Sequence, residues 1–437
     1  MTIWMKAGVL VLCATGLAAQ DLPAPITDAD YAPVRLDEAL LGQKLFYDPI
    51  LSGNREVSCA TCHHPAFGTS DGLSLGIGDG GIGLGPDRVA DPDNMPEQRI
   101  PRNAPGLFNL GANEFTVMFH DGRIEVDPAR PGGLRTPLAA DMVSGFASLL
   151  SAQTMFPVLS PDEMAGHYSE NDVAAAVRRG VLTGPGGGWD IIARRVADIP
   201  AYSAEFLAVY DHLDSADQIG FTDISNAIAA FVAHEWRSDT APFDAVLRGK
   251  GRLEGPAAMG MTLFYGDAGC ATCHSGPFLT DHKFHAMGAP QIGPGKAERF
   301  ESHARDEGRF RVTGNPEDRY AFRTPSLRNV TLTAPYGHAG AHRDLYDFVA
   351  AHLDPQTGLE AYEIGSAVLP TLAVDDLRGA GDYPEIAAAA QPGPGLAPAD
   401  LSALVAFLQT LTDPNAVTGK LGVPDSVPSG LPVARPR

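Results

Sequence analysis

Four cysteines fall in two identical pentapeptides, Cys59-Ala60-Thr61-Cys62-His63 and Cys270-Ala271-Thr272-Cys273-His274. C-x-x-C followed at once by His is the attachment signature of a c-type haem. The spacing follows from the chemistry. Two thiols add to the two vinyl groups of one porphyrin, and the next imidazole turns onto the iron. Other uses of paired cysteines fit less well. A zinc ribbon sets its pairs about 15–20 residues apart, whereas these lie 211 apart. A thioredoxin-like pair would neither repeat nor carry His each time. Disulfides are the default in an oxidising compartment, but the fifth cysteine, Cys13, lies in a segment expected to be removed. Two covalently attached haems are therefore expected. Cys59, Cys62, Cys270 and Cys273 would anchor them, with His63 and His274 on the irons.

The elements that must hold these turns repeat as well. Gly42-Gln43-Lys44-Leu45-Phe46-Tyr47 precedes the first motif, and Gly260-Met261-Thr262-Leu263-Phe264-Tyr265 the second. Phe67, Thr69 and Asp71 follow the first, and Phe278, Thr280 and Asp281 the second. Leu36, Leu40, Leu41 and Leu45 recur at helical spacing. The fold class expected is mainly α, with two cytochrome c-like haem domains and long loops. The domains would be a signal peptide at 1–19, an N-terminal haem domain at 20–240, a C-terminal one at 241–415 and a Pro/Gly-rich tail at 416–437. The tail should wrap the surface. Further helices are expected at 171–181 behind an Asn171 cap, at 223–236, and at 401–411 behind an Asp400 cap. No segment shows sustained period-2 alternation. Residues 72–106 are too rich in Gly and Pro for regular structure, and their Gly run is not a nucleotide loop, since no strand precedes it.

Composition narrows the function. The 437 residues are 44% hydrophobic and 19% charged, as in a globular chain. The formal net charge of −21 argues against nucleic acid and against an anionic membrane surface. Lys6 followed by an apolar run over residues 7–19 reads as a targeting segment, too short to span a bilayer. Leu12 before Cys13 argues against a lipid anchor. Removing 1–19 takes away one charged side chain, Lys6, and leaves −22. No other run is long and apolar enough to span a membrane, so an exported, soluble protein is expected.

Longer phrases surround the motifs: LGQKLFYDPILS at 41–52, RNAPGLFNLG at 102–111, FHDGR at 119–123, GPFLTDHKFHAMGAP at 276–290 and FRTPSLRNVTLTAPYGHAGAHRDLYDFV at 322–349. In these the chain resembles the bacterial di-haem cytochrome c peroxidases, and within them the MauG-like enzymes, from about Leu41 to about Pro414. The resemblance implies periplasmic reduction of hydrogen peroxide at the N-terminal haem, with electrons entering through the C-terminal haem. It makes His63 and His274 the proximal ligands. It makes Glu163 the catalytic carboxylate, with Gln153 and Pro157 lining the distal pocket. Splitting peroxide needs a group that takes a proton from one oxygen and delivers it to the other. Read without the family, Glu163 is an ordinary exposed residue at a helix start. A calcium ion between the domains is also implied, on the Asn103 side chain and the carbonyls of Thr333 and Pro335. Oxygen donors of that kind suit a hard cation.

Three departures from the family pattern stand out. The sixth ligand of the second haem is Met in peroxidases and Tyr in MauG. Here the matching position is His352, nineteen residues after Thr333, with His338 and His342 as nearby rivals. A bis-His, low-spin haem follows, with a lower potential than a Met/His one. The family usually has Trp before Asp-Gly-Arg as an inter-haem relay, whereas this chain has His120, and its tryptophans are Trp4, Trp189 and Trp236. Between His64 and His120 there is no histidine to block the first haem. That haem should be five-coordinate or water-bound when oxidised, with His120 a rival distal ligand. Three functions are therefore set side by side. The first is a peroxidase fed by a periplasmic cytochrome c or cupredoxin. The second is a MauG-like enzyme that uses peroxide to oxidise side chains of a partner protein. The third is a non-catalytic di-haem electron carrier. Family peroxidases are often dimers, so a homodimer is among the expectations.

Overall fold

A computed structural model describes residues 22–296, 305–370 and 382–436. The expected leader at 1–19 lies outside the described residues. The main helices used below are α1 (Leu36–Tyr47), α2 (Leu149–Thr154), α3 (Phe221–Glu235), α4 (Gly255–Tyr265), α5 (Leu345–Leu353) and α6 (Pro398–Gln409). Long loops with short helical turns join them. Among the described residues the strands are only two or three residues long. β1 (Gly81–Ile82) pairs with β2 (Val89–Ala90), and β3 (Val117–Met118), β4 (Ile124–Val126) and β5 (Leu134–Arg135) form an antiparallel sheet in that order. β6 (Phe284–His285) pairs with β7 (Phe322–Arg323). The chain is mainly helical with long loops, as the lack of alternation predicts.

The repeated phrases build two equivalent helix crossings. A Cβ on Gly42 of α1 would stand 1.8 Å from the Ala227 carbonyl oxygen and 2.9 Å from the Phe231 Cβ of α3. A Cβ on Gly260 of α4 would stand 1.8 Å from the Ala403 oxygen and 2.9 Å from the Phe407 Cβ of α6. Only glycine lets the backbones come so close. The duplication runs further than these phrases. Asn109 and Asn329 both have φ of 62°. Asn109 N–H donates to the Trp236 carbonyl just past α3, and Asn329 N–H to the Leu411 carbonyl just past α6. Each Asn side chain then takes up a second backbone N–H, of Ser238 and Asp413 respectively.

Two main cores result. Leu41, Leu45, Phe46, Phe231 and Trp236 belong to the first, and Phe243, Phe264, Leu404 and Phe407 to the second. The chain leaves the first core at Trp236 and enters the second at Phe243, both fully buried. The helix behind Asn171 is present as Asp172–Arg178, and the Asn171 side chain accepts from Ala174 N–H at 2.8 Å. One cap differs from expectation. Pro398 opens α6 behind Ala397, and Asp400 lies inside the first turn. Proline is pre-shaped for a first helical position, and an acid there still favours the helix dipole.

The C-terminal tail returns to the first half. The Glu235 carboxylate accepts from the N–H groups of Lys420, Leu421 and Gly422 at 2.6–2.9 Å. Ser429 donates to Asp48 at 2.6 Å. Buried ion pairs join the halves. Arg102 forks onto Asp306 at 2.7 and 2.8 Å and also reaches Asp121 at 2.7 Å. Arg309 meets Glu125 of β4 at 2.9 Å.

Candidate functional site

Each motif folds as a tight turn that aims its histidine. In the first, Cys59–Cys62 is one helical turn, opened by the Ser58 N–H donating to Thr61 Oγ1 at 3.0 Å. In the second, Thr272 Oγ1 donates to the Gly269 carbonyl at 2.7 Å. The imidazoles are then fixed from behind. His63 Nδ1 donates to the Thr69 carbonyl at 2.9 Å, and His274 Nδ1 to the Leu279 carbonyl at 3.2 Å. Both acceptor residues hold left-handed backbone, φ 61° and 56°. That conformation is costly for non-glycine residues and persists where the surroundings demand it. A carbonyl on Nδ1 sets the tautomer and leaves Nε2 as a metal ligand.

These groups share one property. Cys59, Cys62, His63, His274 and His352 are enclosed deeply enough for burial to shift their titration, yet each keeps accessible surface. Residues lining an internal cleft combine these features, and residues in packed core do not. Burial pushes the thiols of Cys59 and Cys62 up to about 12. Thioether bonds would remove that ionisable group altogether. The donor set and its enclosure fit a covalent haem at each motif.

Glu163 shares the property. Its charge is felt at Cys62, and burial holds its own carboxyl above the usual range, against the pull of Lys296 and Arg123. It sits on the turn Pro161–Ala165, after α2, which carries Gln153, and the turn Pro157–Leu159. The Gln153 side-chain oxygen, Oε1, is buried without a hydrogen-bond partner. Trp189 Nε1 donates to the Met155 carbonyl at 2.7 Å and so pins this strip from outside. The Gly-rich segment near 72–92 closes over it. Asp79 N–H donates to the Glu163 carbonyl at 2.9 Å, and a Cβ on Gly78 would stand 2.3–2.7 Å from the backbone of Asp162 and Glu163. The segment near 126–150 contributes β5 to the small sheet, where Arg135 meets Glu125 at 2.9 Å.

At the second motif the His352 ring on α5 stands 6.5 Å from the His274 ring, centroid to centroid, with 46° between the planes. Two imidazoles on opposite sides of one metal ion, each at about 2.0 Å, need roughly 6.3 Å. Burial, and then His274, lower the His352 imidazole to about 4, so it is neutral and able to ligate. The two rivals pack against other rings, although both nitrogens of His338 and Nε2 of His342 are buried without hydrogen-bond partners. His338 stacks on Phe322 at 3.9 Å, and His342 packs against Tyr362 and Phe348.

His120 Nε2 stands 3.1 Å from the Asn103 carbonyl, and burial followed by Arg102 lowers its imidazole to about 3. It lies in the layer joining the halves, where its carbonyl accepts from Arg323 N–H at 2.8 Å. Trp189 and Trp236 both belong to the first core. The Asn103 side-chain nitrogen donates to the Leu73 carbonyl at 2.7 Å, which leaves Oδ1 for another partner. Thr333 lies against Gly106, three residues further along that loop.

Sequence reasoning missed several residues near Glu163. Lys296, which burial lowers to about 8, follows a Gly/Pro loop without a motif. Arg123 closes the quoted FHDGR phrase and lies over the Phe119 ring at 4.1 Å. His167 follows the Glu163 turn and carries no spacing signal.

The family model for di-haem cytochrome c peroxidase matches residues 37–252, which hold the first motif. The methylamine utilization protein MauG of Methylorubrum extorquens is 30% identical over 312 residues, covering 70% of this chain and 66% of that protein. The cytochrome c551 peroxidase of Pseudomonas aeruginosa is 28% identical over 338 residues, covering 77% and 78%. Among solved structures, a MauG-like protein associated with microbial copper homeostasis superposes with a TM-score of 0.57 at 25% identity, over 92% of this chain and 96% of that one. The di-haem peroxidase BthA from Burkholderia thailandensis shares the fold, with a TM-score of 0.58 at 20% identity and 94% coverage of both chains. With two haem-attachment turns held in duplicated settings, the chain belongs to the di-haem cytochrome c peroxidase and MauG family.

Proposed function

We propose that this chain is a periplasmic peroxidase that reduces hydrogen peroxide at a haem on Cys59, Cys62 and His63. Electrons enter through a haem on Cys270, Cys273, His274 and His352. The observation that carries the proposal is the enclosed Glu163 carboxyl, whose charge is felt at Cys62 of the first motif. Haem iron, when bound, supplies the electrons and the open coordination position that peroxide requires. Glu163 takes the proton from the near peroxide oxygen and returns it to the far one as water leaves. Gln153 and Pro157 shape the space around it. The first half, to about 240, is the peroxidatic haem domain, and 241–415 is the electron-entry domain. The tail from 416 straps onto the first half. A calcium ion on Asn103, Thr333 and Pro335 would stiffen the joint between them, and the anchoring of the Asn103 side-chain nitrogen on the Leu73 carbonyl supports this.

The test is Glu163→Gln in the holoprotein. Peroxide reactivity should fall by about 10²–10⁴-fold, the usual contribution of a positioned acid–base. Full reactivity in that variant would overturn the proposal, and with peroxide inert towards the wild type the electron-carrier reading would take its place. The MauG-like reading, in which peroxide oxidises a partner protein, is favoured by the His274–His352 pair, since a low-potential entry haem draws poorly on an ordinary cytochrome c. Robust steady-state turnover with reduced cytochrome c would exclude it.

A further inference from the structure

A chain of acid–base groups runs from the protein surface to the Glu163 turn, with the buried His167 between the half-buried Glu97 and Asp162. Reduction of peroxide to two waters breaks the O–O bond and consumes two electrons and two protons. The electrons come by the route proposed above. The protons must come from bulk solvent to an enclosed carboxyl. His167 is 6% exposed, and its Nε2 is buried without a hydrogen-bond partner. That nitrogen stands 3.9 Å from Asp162 Oδ1, on the residue next to Glu163. The other ring nitrogen, Nδ1, stands 3.5 Å from Glu97 Oε2, whose side chain is 27% exposed. The other charged groups that sense this cluster include Glu56, Asp79, Glu163, Glu170 and Lys296.

The backbone around His167 is set for this purpose. Gly166, Tyr168 and Ser169 hold φ of 84°, 51° and 69°. The His167 N–H donates to Glu170 Oε1 at 2.7 Å. Two consecutive left-handed non-glycine residues are costly, and such strain persists where a position is over-determined. Gln98 donates to the other Asp162 oxygen at 2.7 Å and so aims Oδ1 at the imidazole.

We propose that Glu97, His167 and Asp162 form the proton-delivery relay of the distal pocket. This rests on the peroxidase reading above. Imidazole accepts a proton at Nδ1 from the Glu97 side and releases one from Nε2 to Asp162 Oδ1. Asp162 hands it to Glu163, through a single bridging water or a small side-chain swing. His167 is a positioning and relay residue and does not touch peroxide.

The experiment compares holoprotein variants His167→Phe, Glu97→Gln and Glu163→Gln. In His167→Phe the peroxide reaction should slow by about tenfold or more, at the low end of acid–base effects. Its solvent deuterium isotope effect should rise, and added imidazole should restore the rate. Glu97→Gln, at the surface end, should slow the reaction in the same direction. The infrared carboxylic-acid band of the resting protein should shift in His167→Phe, a readout independent of turnover. Where His167→Phe does not fold, Glu97→Gln and Asp162→Asn decide by the same isotope effect. Wild-type rate and isotope effect in these relay variants, with Glu163→Gln inactive, overturn the relay and leave the peroxidase. A fully reactive Glu163→Gln overturns the reading beneath it.

Discussion

At the residue scale the decisive positions are the two on opposite sides of the second motif's cleft. His352→Met should keep a six-coordinate second haem but raise its reduction potential, because thioether ligation favours the reduced iron. Redox titration of the holoprotein would show it. His352→Ala should convert that haem from low-spin to high-spin, visible by EPR. A low-spin signal that persists in His352→Ala would mean that another group holds the sixth position. The motif cysteines and histidines were legible because covalent haem chemistry dictates their spacing. His352 was legible only through family register, since a lone His on a helix is usually structural. His167 and Lys296 were not legible at all. Loops near Glu97 and Lys296, 70 residues from His167 and 133 from Glu163, bring these groups together, and no local periodicity reports such a contact.

At the scale of elements, the equivalent crossings of α1 with α3 and α4 with α6 make a test of sign. Alanine is favoured over glycine inside a helix by about 1 kcal/mol. At Gly42 and Gly260 the added methyl would meet a carbonyl oxygen 1.8 Å away, so the helices must part. Overpacking costs about 1–3 kcal/mol, sometimes more. Gly42→Ala and Gly260→Ala should each lower the thermal midpoint of the holoprotein, and unchanged midpoints would refute the close crossing. Gly78→Ala should act differently, because its methyl would push on the Glu163 backbone. There, peroxide reactivity should fall more than stability. The helices were readable from spacing and from the Asn171 cap. The small sheet was not, since strands of two or three residues are too short to show alternation. The equivalence of Asn109 and Asn329 stands in the sequence as Pro105-x-Leu107-x-Asn109 and Pro325-x-Leu327-x-Asn329, but a three-residue match carries weight only beside the shared left-handed backbone.

At the scale of the whole molecule, charge both joins the halves and selects the partner. Burial would raise the Asp121 carboxyl, but Arg102 and Arg123 outweigh it and hold it at about 2. Asp306 is likewise held below the usual range, with Arg102 overcoming its burial. A folded pKa below the unfolded one stabilises above about pH 4. That contribution fades as the pH falls from about 4 towards about 2, so strong acid should loosen the joint between the halves. Arg102→Met would strand two buried carboxylates at a cost of about 3–5 kcal/mol, measurable by denaturant titration at neutral pH. Outside the joint, the net charge of −21 dominates what a partner meets. Haem propionates add to it. A donor or protein substrate with a basic face is therefore steered inward, and one with an acidic face is repelled. Raising ionic strength from 0.01 M to 1 M shortens the screening length from about 30 Å to about 3 Å. The second-order rate of reduction by a basic cytochrome c should then fall by about tenfold or more, while that with an acidic donor should rise. Stopped-flow reduction of the entry haem across that range measures both. Equal, salt-independent rates would mean that the encounter ignores the molecule's field and that docking rests on a local apolar patch instead.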